Sequence, residues 1–385
     1  MSWLDRPSTG RASGGTAFAS ACLHMKQAST YLGIGLIALV GCSSGPETSG
    51  YDARAFSGEV QLDSCGGQSA PRLPRCGGDA ALGIIAAVCG DLTTQNTLTI
   101  NGSLAVGGQS RFGSPLRVTS CFTGFGGIRA DATEEVLGDL STAADWLVNS
   151  PAQVGANALV GGKLYAKNEV AVRGVLHADA DMTNVSASFV TEAMAPKNPL
   201  NCERAPSPAA TIARLEAGAF VDLRDALAAH SEAAHVQLGC ATYRFDALGI
   251  DNELTLHIKG HTVIIVDGNV RVASSMIVEL EPDAQLDFLI GGQLEVEKKL
   301  SFTGGSTWLA IAGAVQIAAP MQLDGTLYAP QSDVSSTPGS VDDELRINGA
   351  LLVGSLHLAS PVTVKASSDP PLPACQPSEH QSPRG

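Results

Sequence analysis

A five-residue pattern, Gly-x-apolar-x-apolar, returns along most of the chain and limits the folds that it can adopt. Each unit is typical of a turn glycine followed by a short strand whose alternate side chains face inward. The pattern therefore predicts an all-β protein made of many short, similar strands. The units begin at Gly102, Gly162, Gly174, Gly268, Gly292, Gly313, Gly325, Gly349 and Gly354.

The spacing of the units indicates how the strands are arranged. Gly268 and Gly292 are 24 residues apart, and so are Gly325 and Gly349. Periods in the twenties are typical of solenoids, in which each coil buries its apolar side chains against its neighbours. The alternative is a sandwich of short antiparallel strands, which has the same period of two. We favour the solenoid because hairpin dipeptides such as Asp267-Gly268 are few.

The solenoid is predicted in two sections, 81–195 and 241–366. The unit at Gly162 resembles the unit at Gly325, but the next unit follows sooner in the first case, at Gly174, than in the second, at Gly349. The polar stretch Ser332–Asp343 accounts for the difference as a loop inserted into a coil.

Residues 196–240 interrupt the pattern and predict a short helical insertion. Ser207-Pro208 provides an N-cap with proline at the first helical position. The apolar spacing after Ile212 is compatible with one or two helices through about Ala234.

The N-terminal region predicts export and lipid anchoring. Leu36–Cys42 resembles the lipobox of bacterial lipoproteins, where cleavage before the cysteine leaves its thiol to carry a diacylglyceryl anchor. The apolar run before it is too short to cross a bilayer, which takes about 20 residues, and it matches the core of a signal peptide. We predict a signal peptide over 1–41 with the true start at Met25, then a flexible tether over 42–80 and a disordered tail over 367–385. The alternative is a buried strand that ends in an ordinary cysteine.

The cysteines of an exported protein are expected to form disulfides. We predict that Cys202 and Cys240 form a bridge that brackets the helical insertion. The remaining candidates are less constrained, and Cys375 is left over. They are Cys65 with Cys76 and Cys89 with Cys121.

Composition excludes one class of partner. The chain has 385 residues and a net charge of −14, whereas nucleic-acid binding depends on clustered lysine and arginine. The charge balance therefore predicts no nucleic-acid partner.

Several polar clusters are weak candidates for chemistry. His230, Glu232 and His235 lack the four-residue histidine spacing of a zincin helix, so a solvated helix end explains them better. His177, Asp179 and Asp181 share one face of a strand and form a weak candidate for a calcium edge. Asp342-Asp343-Glu344 is a solvated charge run in the inserted loop.

No catalytic pattern emerges from the rest of the sequence. Gly-x-Ser-x-Gly, a phosphate-binding loop and a dinucleotide fingerprint are all missing. The exposed strand positions are mixed and unclustered, and the prediction is of no enzyme, no metal and no cofactor. Those positions are Asn269, Arg271, Gln293, Glu295 and Gln316.

Residues from about Cys202 to Ala366 resemble a family of uncharacterised bacterial β-helix lipoproteins and pilus-assembly-associated proteins that share a domain of unknown function. The resemblance implies a right-handed parallel β-helix and surface association, and it supplies no catalytic residue. The matching segments include Leu238–Tyr243, Leu254–Gly260, Val263–Val270, Val278–Leu286, Leu289–Gly292 and Leu327–Pro330.

Together these features predict a non-enzymatic cell-envelope protein, lipid-anchored at Cys42 and located at the outer membrane. Its β-helix would be a structural or adhesive module that binds an envelope protein, a pilus component or a polysaccharide. The alternatives are a polysaccharide lyase or hydrolase on the same fold, and a self-assembling, polymer-forming β-helix.

Overall fold

The computed structural model of the chain describes residues 59–62, 84–195, 200, 205–215, 221–222, 234–337 and 344–366. These residues lie mostly in short strands, with one α-helix, α1 (Pro208–Leu215), and one 3-10 turn (Met182–Asn184). The strands are β1 (Glu59–Leu62), β2 (Ile84–Val88), β3 (Leu92–Thr94), β4 (Leu98–Asn101), β5 (Ser103–Val106), β6 (Ser110–Phe112), β7 (Leu116–Val118), β8 (Phe122–Gly124), β9 (Ile128–Ala130), β10 (Glu134–Val136), β11 (Leu140–Thr142), β12 (Trp146–Val148), β13 (Ala152–Val154), β14 (Ala158–Ala166), β15 (Val170–Ala180), β16 (Val185–Thr191), β17 (Val221–Asp222), β18 (Ala234–Leu238), β19 (Thr242–Phe245), β20 (Leu248–Ile250), β21 (Leu254–Ile258), β22 (His261–Val266), β23 (Val270–Val272), β24 (Met276–Leu280), β25 (Gln285–Ile290), β26 (Leu294–Val296), β27 (Leu300–Ile311), β28 (Val315–Ile317), β29 (Met321–Ser336), β30 (Leu345–Leu358) and β31 (Val362–Lys365).

The strands form a β-solenoid of about 12 turns. The pairings between the described strands are parallel, which rules out the antiparallel sandwich and confirms the predicted solenoid. The right-handed sense of the coil stays a prediction.

Each coil has three sides, and the register stacks equivalent sides into three faces. Face 1 contains β1, β18, β21, β24, β31, β4, β7, β10 and β13. Face 2 contains β17, β19, β22, β25, β2, β5, β8 and β11. Face 3 contains β20, β23, β26, β28, β3, β6, β9 and β12. The long strands β14, β15, β27, β29 and β30 turn corners and contribute to more than one face.

A short repeat, in which every sixth residue is buried inside the coil, builds the first section from Ala86 to Leu176. Three such units make one coil, so the register partners Thr123 and Ser141 are 18 positions apart along the chain. Coils of the second section are longer, as the glycine spacing predicted, and the register partners Asp324 and Asn348 are 24 positions apart. The buried first positions of the short repeat are Ala86, Leu92, Leu98, Leu104, Ser110, Leu116, Phe122, Ile128, Glu134, Leu140, Trp146, Ala152, Ala158, Leu164, Val170 and Leu176.

The two sections stack in the reverse of their order along the chain. Coils of residues 234–358 come first, and the next coil is composite: β31 supplies its face 1, whereas β2 and β3 supply faces 2 and 3. The coils of residues 98–191 then follow, beginning where β4 pairs with β31. The strand that begins at Ile84 and the strand that ends at Lys365 therefore meet in the middle of the stack. Backbone hydrogen bonds from Cys89 N to Val353 O (2.8 Å) and from Leu356 N to Asp91 O (2.9 Å) join the sections there.

The helix α1 packs on the outer side of face 2. It begins at Pro208, as predicted, and Thr211 N donates to Ser207 O in its first turn. Ile212 is buried on it against outward-facing apolar side chains, and Tyr328 Oη donates to Pro206 O at 2.8 Å. That apolar cluster is Ala87, Val263, Ile265, Leu289, Trp308, Ala310, Tyr328 and Leu352.

Other parts of the predicted organisation differ from the structure. Glu59–Leu62, inside the predicted flexible tether, forms β1 and pairs with β18. Ala234 begins β18 instead of ending a helix, because residues 234–238 alternate buried and outward positions along a strand. The remainder of the tether, the signal peptide and the tail at 367–385 lie outside the described residues.

The cysteine predictions have mixed outcomes. Cys89 and Cys121 are both disulfide-bonded, but Cys89 follows β2 beside Gly107 and Cys121 precedes β8 beside Ser103. The two cysteines lie two rungs apart across the sheet and four residues apart along the strand direction, which places them about 16 Å from each other. Bonded cysteines have Cα atoms within about 7 Å. The predicted pairing between these two does not fit the register.

The predicted bracket around the helical insertion is not supported either. The Cys240 thiol lies 3.8 Å from the backbone oxygen of Lys259 and donates to it. Its proposed partner Cys202 lies outside the described residues, as do Cys42, Cys65, Cys76 and Cys375.

Candidate functional site

Face 3 presents a straight column of outward side chains to solvent. One residue from each coil lies directly beside the next, at a rung spacing of about 4.8 Å. The predicted exposure of Arg271, Glu295 and Gln316 is confirmed in this column. In stacking order the column is Gly249, Arg271, Glu295, Gln316, Ser335, His357, Thr93, Arg111, Arg129, Leu147 and Tyr165.

The outward side of face 2 differs because the polypeptide itself covers it. Its column includes Asp287, whose carboxylate is buried and lies 2.9 Å from Nε2 of His261. Trp308 and Tyr328 lie on the same side, with ring centroids 5.5 Å apart, and are almost inaccessible. Face 2 therefore serves packing in the second section, whereas the outward column of face 3 is open to solvent.

Two arginines lie next to each other in the face 3 column and share one carboxylate. Arg111 and Arg129 are register partners with side chains 59% and 46% exposed. Arg129 Nε donates to both carboxylate oxygens of Asp131 (2.8 and 3.0 Å), and Arg111 Nε lies 3.7 Å from the same group. Asn149 Nδ2 also donates to Asp131, at 2.6 Å.

These contacts keep Asp131 ionised. Burial alone would raise the pKa of its carboxyl, but hydrogen bonds from Arg129 and Asn149 and the charges of Arg129 and Arg111 lower the pKa below its ordinary value. One carboxylate therefore faces two guanidinium groups, and the cluster keeps a net positive charge within an acidic protein.

Arg271, lower in the same column, is bonded differently. Its Nε and one terminal nitrogen donate to the two carboxylate oxygens of Glu297, at 2.8 and 3.1 Å. Those hydrogen bonds raise the pKa of Arg271 above its ordinary value. Its charge is matched by its own partner, in contrast to the pair at Arg111 and Arg129.

The column continues from the arginines into apolar surface. Leu147 is half-buried beside Arg129, and Tyr165 beside Leu147 is 48% exposed. Tyr165 is the most exposed of the large hydrophobic side chains in the described part of the chain. Guanidinium groups and an aromatic platform thus occur along one line.

The sequence holds a signal for this line that the glycine pattern did not reveal. Arg111, Arg129, Leu147 and Tyr165 follow one another at a constant interval, which equals the coil length of the first section. Alignment on the glycines missed them because those glycines occupy different corners of the coil.

The candidate calcium edge is not assembled. His177 contacts the Thr191 hydroxyl on face 2, whereas Asp179 is exposed beside Lys163 at the start of the next side. Asp181 caps the 3-10 turn, and its carboxylate accepts from Thr183 N (3.1 Å) and Oγ1 (2.7 Å).

The predicted histidine cluster and the predicted acidic run are also not assembled as sites in the described residues. His235 lies on strand β18, exposed, with its ring stacked near that of His257 at a centroid distance of 6.4 Å. It therefore does not belong to the expected helix end. Glu344 pairs with Arg346 at 2.6 Å. His230, Glu232, Asp342 and Asp343 lie outside the described residues.

The described residues contain no group of three or more His, Cys, Asp or Glu side chains placed to hold a metal ion. No helix in the described part of the chain is both long and apolar enough to span a bilayer.

Comparison with known proteins gives little functional information. No curated protein matches the chain. Among solved structures, an ice-binding protein from an Antarctic Flavobacteriaceae bacterium aligns over 75% of this chain and 82% of its own, at 10% identity and a TM-score of 0.17. The family model that matches is described as a domain of unknown function (DUF7305). That model matches residues 201–372, which include α1 and the second section of the solenoid.

Proposed function

We propose that the chain is a non-catalytic, lipid-anchored module of the cell envelope whose solenoid binds an extended partner along face 3. The observation that carries the proposal is the contrast between two faces. The polypeptide covers the outer side of face 2 with α1, whereas the face 3 column stays open along about ten coils. At the rung spacing this column spans roughly 45 Å, a length suited to a polymer.

Lipid anchoring rests on the Leu36–Cys42 string and is tested by fractionation. The Cys42→Ala variant should move from the membrane to the soluble fraction because it lacks the only thiol in that string. Cys22→Ala is the matched control and should partition like the wild type. Retention of Cys42→Ala in membranes would exclude the anchor.

Binding along face 3 is tested with the delipidated chain and isolated envelopes. A triple alanine variant at Glu295, Gln316 and His357 should lose retention severalfold. The control carries alanine at three outward positions of face 1 in neighbouring coils, Gln322, Arg346 and Thr363, and should bind like the wild type. Equal loss in both variants, or no loss in either, would contradict a face 3 interface.

The two alternative functions are tested by two further experiments. Release of new reducing ends from envelope polysaccharide by the wild type would show a lyase or hydrolase and overturn the non-catalytic role. Filaments in light scattering or electron microscopy of the delipidated chain would show a polymer-forming role instead.

A further inference from the structure

We propose that Arg111, Arg129, Leu147 and Tyr165 form a binding site for an acidic polysaccharide. The inference rests on the proposed function and names the ligand class for the upper part of face 3. The four side chains lie in one line on consecutive coils, and they extend over about 14 Å.

The arginines retain hydrogen-bonding capacity for a ligand. Both contact Asp131 through Nε, and within the part of the chain that the structure describes no hydrogen bond engages their terminal amino groups. Asp131 also orients the Arg129 guanidinium, since it accepts from Nε at 2.8 and 3.0 Å. A guanidinium held in this way can donate two parallel hydrogen bonds to a carboxylate.

Leu147 and Tyr165 supply the apolar half of the site. Sugar rings carry C–H groups on their faces, and these pack on an aromatic ring while the hydroxyl groups remain in water. Tyr165 is 48% exposed on strand β14, which pairs with β12, so its ring is accessible to a ligand. A ligand that lies along the column would place one sugar ring on Tyr165 and its acid groups on the arginines.

The same features count against other anionic polymers. Nucleic acids carry a denser charge than two arginines neutralise. An acidic peptide lacks the ring faces that Tyr165 fits, and it adds most readily to an open sheet edge. The column presents side chains from strands that are paired on both sides.

The test is calorimetric titration of the delipidated chain with polygalacturonate. Arg111→Gln with Arg129→Gln should weaken binding at least about tenfold, since each lost charged hydrogen bond is worth more than a neutral one. Tyr165→Ala should weaken it about three- to tenfold. Arg117→Gln is the matched control, because that exposed arginine lies beside Glu135 on face 1, and it should bind like the wild type.

Thermal melting first shows whether each variant is folded. Two further ligands, dextran and polyaspartate, then test whether the site selects an acidic polysaccharide. Dextran, a neutral polymer, should bind much more weakly than polygalacturonate. The proposal is overturned if dextran binds equally well, if polyaspartate binds equally well and Tyr165→Ala has no effect, or if Arg117→Gln weakens binding as much as the double variant. Any of these results combined with an intact face 3 effect on envelope retention would reject this site and leave the proposed function standing.

Discussion

At the residue scale, Glu134 is the side chain least expected in its position. It occupies an inward position of β10 and is fully buried, and its Oε2 accepts a hydrogen bond from Trp146 Nε1 at 3.0 Å. Burial raises the pKa of Glu134 from 4.5 to about 7, against the opposing effect of that hydrogen bond. At neutral pH the core of this coil therefore holds a carboxyl group that is partly protonated.

Glu134→Gln should stabilise the protein at neutral and higher pH, where the wild-type carboxyl loses its proton, and should have little effect at low pH. The folded state binds the proton more tightly than the unfolded state, so stability falls as pH rises from about 4.5 to about 7 and is constant above that. Relative to wild type, the variant should gain roughly 3 kcal/mol in unfolding free energy at about pH 8 and almost nothing at about pH 4. Urea unfolding at several pH values measures this difference.

The neighbouring residue provides the control for that experiment. Glu135 faces outward on the same strand and lies 3.5 Å from Arg117. Glu135→Gln should change stability by less than about 1 kcal/mol, as expected for an exposed pair. If Glu134→Gln gained as much unfolding free energy at low pH as at high pH, ionisation of Glu134 would not be the cause.

At the scale of the element, the corner between faces 1 and 2 depends on close backbone packing. Gly325 lies in β29 with φ +146°, and a Cβ there would lie 1.9 Å from the backbone oxygen of Thr307 on the preceding coil. Gly325→Ala should therefore cost roughly 3 kcal/mol or more, because both the backbone angle and the contact oppose a side chain.

A second glycine shows whether the corner is the cause. Gly249 is exposed in β20, and no atom lies within 4 Å of the position that a Cβ would occupy there, so Gly249→Ala should be neutral or slightly stabilising. Thermal melting of both variants measures the difference. Similar melting temperatures for the two would contradict the close packing at Gly325.

The coils of the two sections show how much of the fold the sequence predicts. The alternation of apolar side chains and the periods above twenty predicted the solenoid and the coils of the second section. The shorter coil of the first section was missed because its buried positions recur at every sixth residue, and some of these are polar, such as Ser110 and Glu134. Local sequence also cannot show which coil stacks on which, since any coil offers a similar apolar layer to its neighbours.

The candidate site follows the same limit. Arg111, Arg129 and Tyr165 belong to different units of the repeat, and they form a line only once the coil length is known. The expected pairing of Cys89 with Cys121 failed for a related reason. The separation of two cysteines along the chain does not indicate their positions around a coil or the number of rungs between them.

At the scale of the whole molecule, the composite coil permits a test of the stacking order. On β30, Lys365 is the register partner of Asn348 and Ala86 is the register partner of Leu351. In the coil above, Lys365 pairs with Asn101 and Ile84 pairs with Ser103, so only Gly102 lies between the two partners. The gap between Lys365 and Ile84 therefore matches the length of a single residue.

A circular permutant should fold with its sections in spatial order. It would begin at Pro196, run to Lys365, continue through one glycine into Ile84, and end at Ala195. Since the glycine replaces a corner that neighbouring coils already make, the permutant should melt within about 2 °C of residues 84–366 in native order, a shift that corresponds to roughly 1 kcal/mol for a chain of this length. Far-UV circular dichroism during heating measures this. A permutant that stays unfolded while the native-order chain folds would mean that the sections do not meet at this coil, because only that arrangement brings Lys365 and Ile84 together.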